Sequence, residues 1–340
     1  MLLILLAATI GQSSTEMERF QTEAPKAWVS YLEHGSKLQG KVTTTTLSDG
    51  VVVRACYADV KQASKRAQVT FVWTKAPADS PQVRFGWAQP SSEGHVRNEN
   101  PRYCFELSRS KESLPWQLDH VWMQEGNSTF KADNNIRAEA IQLACAPLSF
   151  LYNMWLPDLI SDKDFHVDSA TTVEREGRQY VAIAFSYTPE EKAIAALKPV
   201  RKGTMLLDPA LDWTIAEYEC SAAYRKMTRE VHGRYLLRKG DSGHPIVTNS
   251  QVEITVPGDT RAETNASVYE LTEGPEPASA DFTLAAFGLG ALEPPLLPEP
   301  FAPVSNRPWL WALGTAVAAL ACLWLWAFFR RRSKQHLCRG

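Results

Sequence analysis

Ala67–Lys75 reads AQVTFVWTK, Pro81–Gln89 reads PQVRFGWAQ, Tyr103–Ser108 reads YCFELS and Trp116–Trp122 reads WQLDHVW. In the first run Val69, Phe71 and Trp73 alternate with Thr70 and Thr74, and in the second Val83, Phe85 and Trp87 alternate with Arg84 and Gly86. In the third Tyr103, Phe105 and Leu107 alternate with Cys104, Glu106 and Ser108. In the fourth Trp116, Leu118, His120 and Trp122 alternate with Gln117, Asp119 and Val121. Successive side chains of a strand point to opposite faces, so four such runs predict an antiparallel sheet with one apolar surface.

Outward from these runs, the pattern extends the sheet on both sides. Upstream, Thr15 to His34 reads as a helix that Pro25 splits or restarts, with Trp28, Tyr31 and Leu32 forming one apolar stripe. Thr43–Thr46 and Val51–Val53 flank Ser48-Asp49-Gly50, a hairpin turn. Downstream, Ile136–Ile160 is too long for a strand, and Pro147 and Pro157 break it into short helical pieces suited to cap the sheet. Strand signals return at Thr171–Arg175 and Gln179–Tyr187, which meet at Glu176-Gly177. They continue at Gly203–Leu207, Trp213–Cys220, Lys226–Leu237, Ile246–Val256 and Ser267–Leu271, with a short helical insertion expected over Pro189–Leu197. Gly274–Pro308 holds eight of the 21 prolines, the composition of an extended stalk. Within it, Asp281–Leu289 (DFTLAAFGL) is apolar enough to dock on the domain, and is expected there as a strand.

Trp309–Phe329 is 21 residues without a charge, about 31 Å as a helix and close to the hydrocarbon thickness of a bilayer. Trp309 and Trp311 mark one end, and Trp324, Trp326, Phe328 and Phe329 the other. Arg330, Arg331, Arg332 and Lys334 follow, so the positive-inside rule places the tail in the cytoplasm. The start, MLLILLAATIGQSS, is an apolar run of signal-peptide length ending in small residues, without the usual positive leader. The expected organisation is a signal peptide (1–14), an outer domain (15–273), a stalk (274–308) with a docked strand at 281–289, a span (309–329) and a cytoplasmic tail (330–340). The bulk of the chain is then extracytoplasmic, periplasmic or extracellular, beside the cell membrane.

The formal charge of −2 conceals an asymmetry. Six of the 36 Lys and Arg lie from Arg307 onward without an acid, leaving 30 basic against 38 acidic residues before it. That acidic outer part argues against a nucleic-acid partner, whose phosphates need a basic footprint. Cys56, Cys104, Cys145 and Cys220 lie in the outer part, where three disulfide pairings or none are compatible with the spacing. There is no CxxC and no His at metal-ligand spacing from a Cys, and no Walker, Rossmann or HExxH pattern, so neither metal nor cofactor is expected.

The order of an N-terminal helix, a long antiparallel meander, a helical lid and more strands resembles the lipoprotein-carrier (LolA-like) and RseB-like fold. The segments that carry the likeness are AWVSYLEHGSKLQGKV (27–42), AQVTFVWTK, PQVRFGWAQ and GTMLLDPALDWTIAEYE (203–219), within roughly Thr15 to Leu271. The resemblance implies an α+β fold: a large curved antiparallel sheet, an incomplete barrel, packed on the N-terminal helix and the central lid. The C-terminal transmembrane helix is added to it. It also implies an apolar concave surface able to hold an acyl chain or a hydrophobic peptide. Phe71, Trp73, Phe85, Trp87, Trp116 and Trp122 are the candidates to line it; the alternative is that these rings fill a closed core between sheet and helices. Those carriers are soluble shuttles, whereas an anchored chain is displayed beside one membrane.

Three local motifs invite chemistry. Gly240-Asp-Ser-Gly-His-Pro245 is close to the GDSGGP segment of trypsin-like serine proteases, but His244 replaces a glycine and no TAAHC-like segment exists. A hydrolase would need Ser242 within hydrogen-bond reach of a histidine that a carboxylate orients; alone on a hairpin tip, Ser242 does nothing. Asp164, His166 and Asp168 share a strand face without further ligands nearby in sequence. His120 is expected to share a face with Trp116 and Trp122 and to be partly buried. Two function classes therefore stand: an anchored binding or sensing module for an apolar ligand or a protein partner, and an extracytoplasmic hydrolase assembled from distant residues.

Overall fold

The structure, a computed structural model, describes residues 2–63, 66–74, 93–123, 136–150, 154–189, 199–224, 227–259 and 262–294, with side chains from Thr15 onward except at Thr74 and Tyr224. The chain divides into two compact units, Met1–Glu293 and Pro294–Gly340. The expected span at 309–329, the cationic tail with Arg330, Arg331, Arg332 and Lys334, the 295–308 part of the stalk, Phe85, Trp87 and the 190–198 insertion all lie outside the described residues. No helix among the described residues is long and apolar enough to cross a membrane.

Helix α1 (Leu2–Gly35) runs through Pro25, at which the sequence suggested a break. Proline removes one backbone donor, and a helix anchored on a sheet tolerates that loss. Among the described residues fifteen strands follow: β1 (Leu38–Ser48), β2 (Val51–Ala63), β3 (Arg66–Thr74), β4 (Gly94–Glu99), β5 (Tyr103–Arg109), β6 (Gln117–Met123), β7 (Ser149–Phe150), β8 (Met154–Trp155), β9 (Phe165–Arg175), β10 (Arg178–Tyr187), β11 (Val200–Asp208), β12 (Thr214–Tyr224), β13 (Met227–Lys239), β14 (Pro245–Thr255) and β15 (Ala262–Glu273). Helices α2 (Ile136–Ala144) and α3 (Leu156–Ile160) lie between β6 and β9, with the two-residue pair β7–β8 between them.

Thirteen strands form one antiparallel sheet in the order β6-β5-β4-β3-β2-β1-β15-β14-β13-β12-β11-β10-β9. The chain enters at the centre, walks out to β6, crosses through the helical segment to β9 and walks back to pair β15 with β1. That seam runs from Leu38 opposite Glu273 to Ser48 opposite Glu263. β6 and β9 are the two ends, so the sheet is open. Two hairpins turn as the sequence requires: Asp49 and Gly50 have φ of 51° and 78°, Glu176 and Gly177 51° and 73°. Both central residues of such a two-residue turn need positive φ, which glycine adopts without strain.

One face of the sheet carries the main core. α1 packs against β9, and α2 against β2, β3 and β4. Phe20, Trp28 and Tyr31 of α1 are buried with Val60, Val69, Ile183, Phe185 and Tyr218. Trp28 Nε1 donates to the Trp213 carbonyl at 3.0 Å. The expectation of a single apolar surface does not hold. Val96, Tyr103, Phe105 and Leu107 form a second cluster on the opposite face, closed by Leu284. Ser279–Phe282, Leu284–Phe287 and Gly290–Leu292 are three short 3₁₀ turns, not the strand expected at 281–289. Phe282 and Leu284 are fully buried, and Phe287 meets Phe105 and Trp116 edge to face.

Candidate functional site

The rings proposed for an apolar groove are divided between the two faces. Phe71 stacks on Trp73 at 5.7 Å and packs on the main core, as does Trp122. Trp116 packs on the second cluster, beneath Arg109 at 4.3 Å and against Phe287. The cause is a register shift between Glu106 and Leu107 in the β5–β6 pairing, where Glu106 faces His120 and Leu107 faces Leu118. The extra residue in β6 sends side chains before and after it to opposite faces. His120, expected to be partly buried, is exposed and tilts against Trp122 at 5.2 Å.

The chain's polar residues converge instead at the C-terminal end of α1. Ser30 and His34 lie four apart, on one helix face. Facing them are Asp212 after β11, Ser242 and His244 in the β13–β14 loop, and Glu273 at the end of β15. Ser242 Oγ donates to Glu273 Oε1 at 2.9 Å and lies 3.3 Å from His34 Nδ1. The Ser242 N–H points between both oxygens of the same carboxylate, at 3.4 and 3.3 Å. His244 Nδ1 meets Asp212 Oδ2 at 2.6 Å, and its Nε2 lies 3.4 Å from Ser30 Oγ. The rings of His34 and His244 stack at 5.0 Å. A Cβ at Gly240 would run into the Glu273 carboxylate, so glycine there makes the contact possible.

Ser242 is thus not alone on its hairpin tip, yet the arrangement is not a Ser–His–acid relay. A relay places the imidazole between the hydroxyl and the carboxylate, which separates those two oxygens by roughly 6–8 Å. Here they are hydrogen-bonded to each other at 2.9 Å. His34 Nε2 is buried without a hydrogen bond, 3.5 Å from the same Glu273 oxygen. Burial pushes the His34 imidazole below its ordinary pKa, with Glu273 pulling the other way and His244 and Lys37 adding to the depression. Desolvation pushes Glu273 up, but the two Ser242 donors, His34 and Arg238 outweigh it and hold the carboxyl below its usual range. The cluster is a clasp joining four elements at the seam of the sheet.

Beside the clasp lies a cavity of about 490 Å³. Its described walls come from the turn after α1 (Ser36, Lys37), the β2–β3 hairpin (Gln62, Ala63, Arg66), α2 (Arg137, Ile141) and the chain after β15 (Gly274, Glu276). Its floor is built by Gln62, which is buried and donates to the carbonyls of Gly35 and Leu38 at 2.9 Å each. Gln39 Nε2 holds the Pro275 carbonyl at 2.7 Å, fixing the exit of β15. Arg97 bonds Glu106 and Glu139, tying α2 to the sheet.

The other candidate groups stay apart. His166 is exposed, and Asp168 accepts the Ser186 hydroxyl at 3.0 Å. None of Cys56, Cys104, Cys145 and Cys220 forms a disulfide. Burial pushes Cys56 up to about 11 and Cys220 up to about 12. Among the described residues, only Glu217, Glu219 and His232 bring three metal-ligand atoms together, and Arg175 already binds Glu217 at 2.9 Å. This group lies across β12 and β13 and was not visible in the sequence, because Glu219 and His232 become neighbours only through strand register. No protein-family model matches the chain, and no curated protein matches it.

Proposed function

We propose that this chain is a membrane-anchored extracytoplasmic binding or sensing module whose ligand site is the cavity at the foot of α1. The observation that carries the reading is the cavity itself. At about 490 Å³ it falls within the range of small-molecule sites, and its walls come from four separate elements. The aromatic candidates fit this role less well, since each described one packs on a core cluster or a neighbouring ring. The LolA-like resemblance, with its curved sheet, is supported at the level of a large open antiparallel sheet with helices on one face. The anchor is supported by the uncharged Trp309–Phe329 segment and the arginines after it.

The test is native mass spectrometry of the full chain after mild detergent extraction, compared with Ala63→Phe, which fills the cavity. A small molecule retained by the wild type and lost from the variant, at equal thermal stability, supports the reading. A bare mass from both, with no thermal shift from a small-molecule panel, sinks it.

The hydrolase is the second reading, and the contact of Ser242 with a histidine and a carboxylate is the observation in its favour. The 2.9 Å contact between Ser242 and Glu273 weighs against it, since the hydroxyl proton is directed to the carboxylate and not to an imidazole. A fluorophosphonate is expected to leave Ser242 unlabelled, and stoichiometric labelling at Ser242 would restore the enzyme.

A further inference from the structure

Three cations line the cavity from three different elements: Lys37 after α1, Arg66 at the start of β3 and Arg137 at the start of α2. Among the described residues none of the three forms an ion pair with a carboxylate. Glu276 is the one acid in the described wall, so the lining carries an excess of positive charge inside an acidic outer domain. Glu99 is near: it accepts the backbone N–H of Arg137 at 3.4 Å, and the Arg137 charge acts on its carboxyl, without an ion pair between the two side chains. It also occupies the N-terminus of α2, which leaves recognition of an anion to the side chains. Like charges held in one recess repel, and an anion relieves that repulsion. Two guanidinium groups add planar, two-pronged donors, the geometry that suits phosphoryl oxygens. The volume exceeds what a bare phosphate needs, and Ala63 and Ile141 give the remainder an apolar wall.

We infer that the cavity binds a phosphoryl group attached to a small organic body, gripped by Lys37, Arg66 and Arg137. This rests on the proposed function and names its ligand class. The phosphoryl group has two possible sources, a soluble phosphorylated compound or the headgroup of an anionic phospholipid.

The experiment titrates the detergent-solubilised full chain with sodium pyrophosphate, with dihexanoyl phosphatidic acid and with dihexanoyl phosphatidylcholine. The double variant Arg66→Gln/Arg137→Gln is run beside it. Arg175→Gln, which removes a cation paired with Glu217 on the far arm of the sheet, controls for general charge. Circular dichroism and melting temperature establish that both variants fold. Binding of pyrophosphate and phosphatidic acid, weakened roughly tenfold or more in the double variant and unchanged in the control, supports a soluble phosphoryl ligand. Binding of phosphatidic acid alone, with the same dependence on the two arginines, supports a lipid headgroup. Absence of binding by all phosphoryl probes, or equal loss in the control, overturns the inference. A neutral molecule that co-purifies in the cavity while phosphoryl probes fail overturns it too, and leaves the binding function standing.

Discussion

Strands β13 and β5 belong to the two arms of one sheet, and they are buried differently. In β13 Val231, Gly233 and Tyr235 face the helices, while Glu230, His232, Arg234 and Leu236 face solvent. In β5 Tyr103, Cys104 and Phe105 are buried in succession, because α2 covers one side of that arm and the 279–292 segment covers the other. The same antiparallel ladder therefore serves as a one-sided sheet at β10 and β13 and as the middle layer of a sandwich in β3–β6. The difference teaches that the segment after β15 is part of the fold of the first arm, although the sequence places it beyond the last strand. Asn100 donates to the Phe282 carbonyl at 2.9 Å, and Tyr103 Oη meets both Glu293 and the Leu284 N–H, so the cover is hydrogen-bonded as well as packed.

The largest effect should come from removing that cover. Leu284 has no exposed surface and closes the second cluster, so Leu284→Ala is expected to cost about 2–5 kcal/mol in urea unfolding. Leu236→Ala, on the wet face of β13 where the leucine is 48% exposed, should change stability by less than about 0.5 kcal/mol. Equal costs at the two sites would mean that the arms do not differ as described.

A smaller effect tests the covered face of the second arm. Gly233 lies opposite Tyr218, whose buried ring occupies the space that a Cβ would take. An aromatic laid over a strand glycine fills the gap the glycine leaves. Gly233→Ala should cost about 1–3 kcal/mol through overpacking. The penalty should shrink in the Tyr218→Leu background, a coupling that a double-mutant cycle reads directly. An undiminished penalty would assign the effect to the backbone and not to the ring.

How much of this was legible follows the same division. The second arm was readable nearly strand by strand, because one-sided burial writes period-two alternation into β10 and β13. In the first arm the alternation was equally visible but misleading. Large residues at Tyr103, Phe105 and Leu107 have the same period as Val69, Phe71 and Trp73, yet they face the other way. Periodicity gives the spacing of a stripe and not the side it lies on. The shift between Glu106 and Leu107 had no marker either, since neither glycine nor proline stands there. At the site, GDSGHP resembles a protease segment, but its partners are 208 and 31 residues away, at His34 and Glu273. Only the seam between β1 and β15 brings those positions together. The cavity cations had no signature at all, because Lys37, Arg66 and Arg137 belong to three elements with no shared spacing.

The third test acts at that seam, where the two arms join, and it uses acid. The His34 imidazole is held below its ordinary value of 6.5, chiefly by burial, so the folded chain binds fewer protons than the unfolded chain just below that pH. Stability then falls as pH drops through about 6.5, with a slope from this one group of at most about 1.4 kcal/mol per pH unit. Glu273 has the same sign in a lower window. Its carboxyl is held below 4.5, and the stability it contributes is lost only as pH falls beneath that value. Glu99 and Asp208 oppose both, since burial raises their pKa values and the folded state then takes up protons more readily than the unfolded one. The informative quantity is therefore the difference between wild type and His34→Gln, measured by urea unfolding between pH 7.5 and 5.5. The variant keeps a polar group in the clasp but cannot titrate, so its stability should decline less steeply over that window. Parallel curves would mean that His34 is not the proton-sensitive joint between the arms, and that the stacked histidines serve packing alone.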